Sequence, residues 1–118
     1  MRVLIAVFTL VAALCMTGLT MAAAEKTVPG QDLYRNYCKT CHEANSPHGE
    51  YTPMTLIQDQ WKRFFKDKYE ATHRDVIDEK HEAKKVLDVI TPDMLEKIKK
   101  FAIDHAADSE HPMTCGGH

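Results

Sequence analysis

The stretch NYCKTCHEAN, residues 36–45, decides how the rest of the chain is read. Cys38 and Cys41 stand three positions apart, and His42 follows the second cysteine directly. Three chemistries use such a pattern: a redox dithiol, half of a zinc site, or an attachment point for a covalent group. The surrounding sequence separates them.

A thioredoxin-type dithiol needs a strand ahead of C-x-x-C inside a βαβ unit. Here Leu33, Tyr34, Tyr37, Cys38 and Cys41 recur at the spacing of one helix face, and no strand precedes them. A zinc staple would take its second half from Cys115-Gly-Gly-His118, making a Cys₃His set of Cys38, Cys41, Cys115 and His118. The separation between the halves is very long for a zinc knuckle. The third reading is C-x-x-C-H as an attachment signature for c-type haem. Each thiol adds across one vinyl group of the porphyrin and leaves a thioether. Two intervening residues let one helical turn span both vinyls, and His42 then projects over the iron as its proximal ligand. One covalent haem c, held by Cys38, Cys41 and His42, is therefore expected.

The start of the chain agrees. Arg2 precedes a nearly continuous apolar run, VLIAVFTLVAALCM at 3–16, and Ala22, Ala23 and Ala24 follow. A basic residue, an apolar stretch and an A-x-A end read as a secretory signal peptide over 1–24, cut before Glu25. The alternative, an uncleaved membrane anchor, is disfavoured because the run is short for a spanning helix. Cys15 follows Leu14, which argues against a lipoprotein. Haem attachment of this kind takes place outside the cytoplasm, so a periplasmic location is expected, with no stable membrane insertion after cleavage. The domain of 25–118 would hold 94 residues, with 14 basic against 17 acidic side chains. That mild negative balance implies no general attraction to nucleic acid. A single domain of this size has little room for a core and commonly needs a staple or cofactor. Three cysteines remain in it, an odd count that makes no disulfide framework.

Along that domain the apolar pattern is helical. After the cysteine pair, EANSPHGEYTP at 43–53 has loop composition. Thr55 with Gln58 reads as a capping box for a second helix whose inner face carries Ile57, Trp61, Phe64 and Phe65. Thr72 with Asp75 reads as the start of a third, weakly marked helix running into the polar stretch DEKHEAKK at 78–85. Thr91-Pro92-Asp93 is a strong start signal for the last helix, with Met94, Leu95, Ile98, Phe101, Ala102 and His105 as its stripe and an end near Asp108. No segment alternates at strand period, so the expected class is all-α: about four helices around one covalently bound haem.

On these residues the chain resembles a monohaem class I cytochrome c. The CKTCH-bearing first helix, and a last helix whose Phe101 can pack on Tyr34 or Tyr37, are similar to that family's first and last helices. More loosely, the WKRFF and AADSEHPMTCGG stretches are similar to periplasmic monohaem cytochromes of metal-reducing bacteria. The resemblance implies that a proline about ten residues past the haem histidine, here Pro53, offers its carbonyl to that histidine's other nitrogen. It also implies a methionine as sixth ligand. Met54 follows Pro53 on the histidine side, and Met94 sits at a core position. Met113, in the shaped tail after the last helix, is therefore the favoured sixth ligand. Met54, His73, His81, His105 and His111 are the alternatives, as is an open position.

The remaining conspicuous groups read as structural. Trp61, Phe64 and Phe65 are core or pocket wall. Cys115 reads as an unpaired thiol. Lysines 62, 66, 68, 97, 99 and 100 read as solvated faces; the functional alternative is a docking patch for an acidic partner. The functional expectation is a non-enzymatic one-electron carrier that meets other redox proteins in transient contacts. The rival classes are a five-coordinate haem peroxidase or gas sensor, and the zinc-stapled binding module.

Overall fold

Chain folding is described for residues 28–114 by a computed structural model. The expected signal peptide, Cys115 and His118 lie outside the described residues. Pro29, with φ −61° and ψ 148°, leads into α1 (Gly30–Leu33). The helix continues as a π turn over Tyr34–Cys38, closed by Lys39 N–H to the Tyr34 carbonyl at 2.9 Å. A wider turn of this kind is common beside functional residues; here it immediately precedes the cysteine pair.

A 3₁₀ turn, Pro53–Thr55, precedes α2 (Gln58–Asp67). Thr55 belongs to that turn: its Oγ1 accepts from Thr52 N–H at 2.8 Å. The expected Thr55–Gln58 box is thus displaced. Gln60 Oε1 accepts from Ile57 N–H at 3.1 Å, and Asp108 Oδ1 accepts from Gln58 N–H at 2.8 Å. A capping carboxylate fifty residues away satisfies an otherwise orphaned donor. Trp61 is buried and Phe64 and Phe65 pack beside it, whereas Ile57 is 41% exposed and Leu56 packs inward instead.

Lys68 interrupts the helix at φ −122°, and α3 (Tyr69–His73) follows. Thr72 closes this helix where a start was expected. Its hydroxyl donates back to the Lys68 carbonyl at 2.8 Å, a local bond that competes with helix propagation. Beyond it the polar stretch forms a short antiparallel hairpin, β1 (Ile77–Asp78) with β2 (Lys84–Lys85). The expected helical class holds as a mostly helical fold, with this one small ribbon added where a third helix was expected. Asp78 is the reason: only 2% exposed, it accepts from Lys80 N–H at 3.0 Å and His81 N–H at 3.2 Å, turning the chain before a helix can form. Glu82 and Ala83 complete the loop at φ 63° and 50°.

α4 (Val86–Val89) leads into α5 (Pro92–Asp104). The α5 start is as read: Thr91 Oγ1 accepts from Met94 N–H at 3.3 Å, with proline at the first helical position. α5 packs across α1 and α2. Its Ile98 joins Leu33, Val86 and Ile90 in one apolar cluster; its Ala102, with Ala106, joins Trp61 in a second. Phe65 touches both clusters. Phe101 meets Tyr34 with ring centroids 5.5 Å apart, which is one of the two contacts anticipated; Tyr37 stacks on His81 instead. No helix among the described residues is long and apolar enough to cross a membrane.

Gly30 marks the closest approach of α1 to α5, because a Cβ there would overlap the Lys97 carbonyl. Gly30→Ala is expected to destabilise the folded protein by ~1–3 kcal/mol, since the obstacle is backbone and cannot rotate away. A lower denaturant midpoint at unchanged slope checks it; an unchanged midpoint would mean that the two helices part at no cost.

Candidate functional site

The CKTCH segment closes a single helical turn. His42 N–H reaches the Cys38 carbonyl at 3.1 Å, as does Cys41 N–H. The loop after it then folds back over His42. Ser46 Oγ donates to the Cys41 carbonyl and accepts from His48 N–H at 3.1 Å. Tyr51 N–H donates to the His42 carbonyl at 3.1 Å. Tyr34 Oη donates to the Tyr51 carbonyl, tying the loop to the first helix.

The purpose of this folding is visible at the imidazole. His42 Nδ1 lies 3.0 Å from the Gly49 carbonyl. A carbonyl only accepts, so Nδ1 carries the hydrogen and Nε2 keeps its lone pair. The Tyr51 ring meets the imidazole edge-on at 5.1 Å. The device expected of Pro53 is thus supplied by Gly49, seven residues along. The Pro53 carbonyl is engaged elsewhere, accepting from Trp61 Nε1–H at 2.9 Å. Gly49 has φ +86°, a conformation that side-chain-bearing residues rarely adopt.

Cys38, Cys41 and His42 line a cavity of about 370 Å³. That is within the size range of protein sites for small molecules and cofactors. Its wall combines the aromatic Tyr34, Trp61, Phe64 and Phe65 with the aliphatic Val76, Val86, Ile90, Leu95 and Ile98. Tyr69 also lines it, and its buried hydroxyl has no hydrogen-bond partner among the described residues. The cavity is thus an apolar hollow with two thiols, an oriented imidazole and one unpaired phenol on its wall.

Cys38 is not set up as a reactive thiol. Burial, reinforced by the neighbouring Cys41, pushes the Cys38 thiol up to about 12. A catalytic thiol requires the opposite shift. Among the described residues no three His, Cys, Asp or Glu side chains gather around one point. The other zinc candidates, Cys115 and His118, lie outside them.

The candidates for a second iron ligand disperse. Met113 is pinned to the end of α5, its N–H bonded to the His105 carbonyl at 3.0 Å, and it is not part of the cavity wall. The described residues after α5 pack at its end and at the start of α2, where Ala107 N–H reaches the Leu56 carbonyl at 3.2 Å. Met54 is 43% exposed and also outside the wall. His105 Nδ1 donates to the His111 carbonyl at 2.8 Å, and His111 is exposed. His81 Nδ1 donates to Asp78 Oδ2 at 2.7 Å. Only His73 of the group lines the cavity. Burial lowers its pKa, opposed by the hydrogen bond to Tyr69 and aided by His42, which favours the neutral ring.

Sequence patterns did not point to several polar or aromatic wall residues, among them His48, Gly49's neighbour at the cavity's exposed edge, Tyr51, Tyr69 and the buried Asp78. Glycine after histidine within a loop signals a turn, but no spacing rule would have put these groups on the cavity. The lysines of the two suspected patches are largely paired: Lys62 with Asp59, Lys97 with Asp93, Lys99 with Glu96 and Lys100 with Asp104. Comparison with protein-family models, with curated proteins and with solved structures finds no match.

Burial, aided for each by the nearby Cys38, raises the Tyr34 and Tyr69 phenols from 10 to about 12. Between those values the folded state keeps protons that the unfolded chain releases. This contribution is constant below pH ~10 and is lost as pH climbs toward 12. Thermal midpoints measured across that range are expected to fall, and to fall less steeply in Tyr34→Phe. Equal slopes in the two proteins would exclude the tyrosine as a cause.

Proposed function

We propose that this chain is an exported one-electron carrier of the c-type cytochrome kind, working in the periplasm. It would hold one haem through thioethers at Cys38 and Cys41, with His42 as proximal ligand. The observation that carries this reading is that both cysteines and a tautomer-fixed His42 share one aromatic-walled cavity. Haem, when bound, supplies one-electron chemistry as its iron alternates between ferric and ferrous.

The chain's own residues do the rest. Cys38 and Cys41 anchor the group at two points one helical turn apart. Gly49 orients His42 and, by accepting its Nδ1 hydrogen, makes Nε2 a stronger donor. Trp61, Phe64, Phe65 and the aliphatic wall would keep water from the group and hold the local dielectric low, which would tune its potential. Tyr51 and Ile77 line the cavity and are each 42% exposed, so they form an apolar rim at its mouth. Redox partners are proposed to dock there in small, short-lived contacts, with little help from the paired lysines.

The test is export of the full chain in a host that matures c-type cytochromes. The wild type is expected to be red, with porphyrin mass that survives denaturation and acid–solvent extraction. Cys38→Ala/Cys41→Ala should lack that mass and lose most of its far-ultraviolet helix signal, because the apolar walls lose what they pack on. A colourless wild type of bare polypeptide mass defeats the reading, and stoichiometric zinc in it would select the binding module.

A further inference from the structure

We propose that His73 is the second axial ligand, so that the site is a bis-imidazole centre and not the histidine–methionine pair expected at first. The inference rests on the haem reading above. Its ground is the placement of two rings. The His42 and His73 centroids are 6.2 Å apart, with planes inclined at 73°. Two imidazoles bonded end-on to one metal ion at about 2.0 Å have centroids about 6 Å apart. The two side chains therefore already stand at the separation that a shared iron demands.

Their hydrogen bonds point the same way. His73 Nδ1 lies 2.8 Å from the Tyr69 carbonyl, as His42 Nδ1 lies 3.0 Å from that of Gly49. In each ring the backbone holds Nδ1 as the N–H and leaves Nε2 as the donor to metal. Thr72 Oγ1, 2.9 Å from His73 Nδ1, adds to this hold. The ring is also packed in place, stacked on Tyr69 at 4.9 Å and set edge-on to Phe64 at 6.4 Å. His42 is borne by the turn after α1 and His73 by the last residue of α3, so two separate elements would clasp the group from either side. A solvated surface histidine needs none of this.

A second imidazole in place of a thioether lowers the reduction potential. It also closes the coordination sphere, which favours electron transfer over peroxidase or gas-sensing chemistry.

The experiment compares the exported holoprotein with His73→Ala, His73→Met and Met113→Ala. The wild type is expected to be low-spin when oxidised, with no long-wavelength sulfur-to-iron band. Near-perpendicular rings should give it a strongly anisotropic ferric resonance. His73→Ala should turn high-spin, bind carbon monoxide readily when reduced, and return to low spin with added imidazole. His73→Met should gain the sulfur band and a higher potential, and it decides the matter if the alanine variant does not accumulate. Met113→Ala should match the wild type. A sulfur band in the wild type that vanishes in Met113→Ala overturns the inference, as does a low-spin His73→Ala. Both outcomes leave a red, haem-bearing protein, so they are distinct from failure of the haem reading itself.

Discussion

The crossing of α1 and α5 at Gly30 is the contact on which the remaining structure depends. The absent side chain lets the two backbones meet at the Lys97 carbonyl. That approach seats Phe101 on Tyr34, and the Tyr34 hydroxyl in turn holds Tyr51. Tyr51 reaches His42 through both its N–H and its ring. A close helix crossing thus transmits order, through one aromatic pair and one carbonyl, to the imidazole at the centre of the candidate site. Close-packed interiors carry such constraints without slack.

The second organising feature is the aromatic run on α2 and α3. Trp61 stacks on Phe65, Phe65 meets Tyr69, and Tyr69 stacks on His73. Each contact is modest, on the order of 1 kcal/mol beyond the area it buries. Together they form one wall of the cavity and end in the histidine that faces His42. Asp108, capping α2 from the far end of the chain, fixes this wall against the terminus of α5. Asp108, just past α5, therefore serves the cavity by bracing α2.

The hairpin between α3 and α4 shows how a buried carboxylate redirects a chain. Asp78 takes two backbone N–H groups and the His81 ring, and His81 stacks on Tyr37 beside the cysteine-bearing turn. Lys80 reaches the Thr40 carbonyl at 3.0 Å, closing the same corner. The ribbon is small, but it completes the cavity with Val76, Ile77 and Asp78.

What the sequence alone determined was local. Cys-x-x-Cys-His lies within one helical turn, so spacing alone placed Cys38, Cys41 and His42 together. Thr91-Pro92-Asp93 caps through atoms three residues apart, and the stripe of α5 follows from a 3.6-residue period. Failures began where a local signal met a competing bond. Thr72 looked like a cap but donates to Lys68 and ends its helix; Thr55 bonds back to Thr52. What only the tertiary structure decided was which distant groups share a space. Gly49 rather than Pro53 faces Nδ1, because the loop doubles back sooner than residue counting implied. His73 rather than Met113 reaches the cavity, because the side of a pocket on which a residue falls is set by the turns between helices and the packing of their faces. Those depend on many weak contacts acting together, and no short stretch of sequence records their sum.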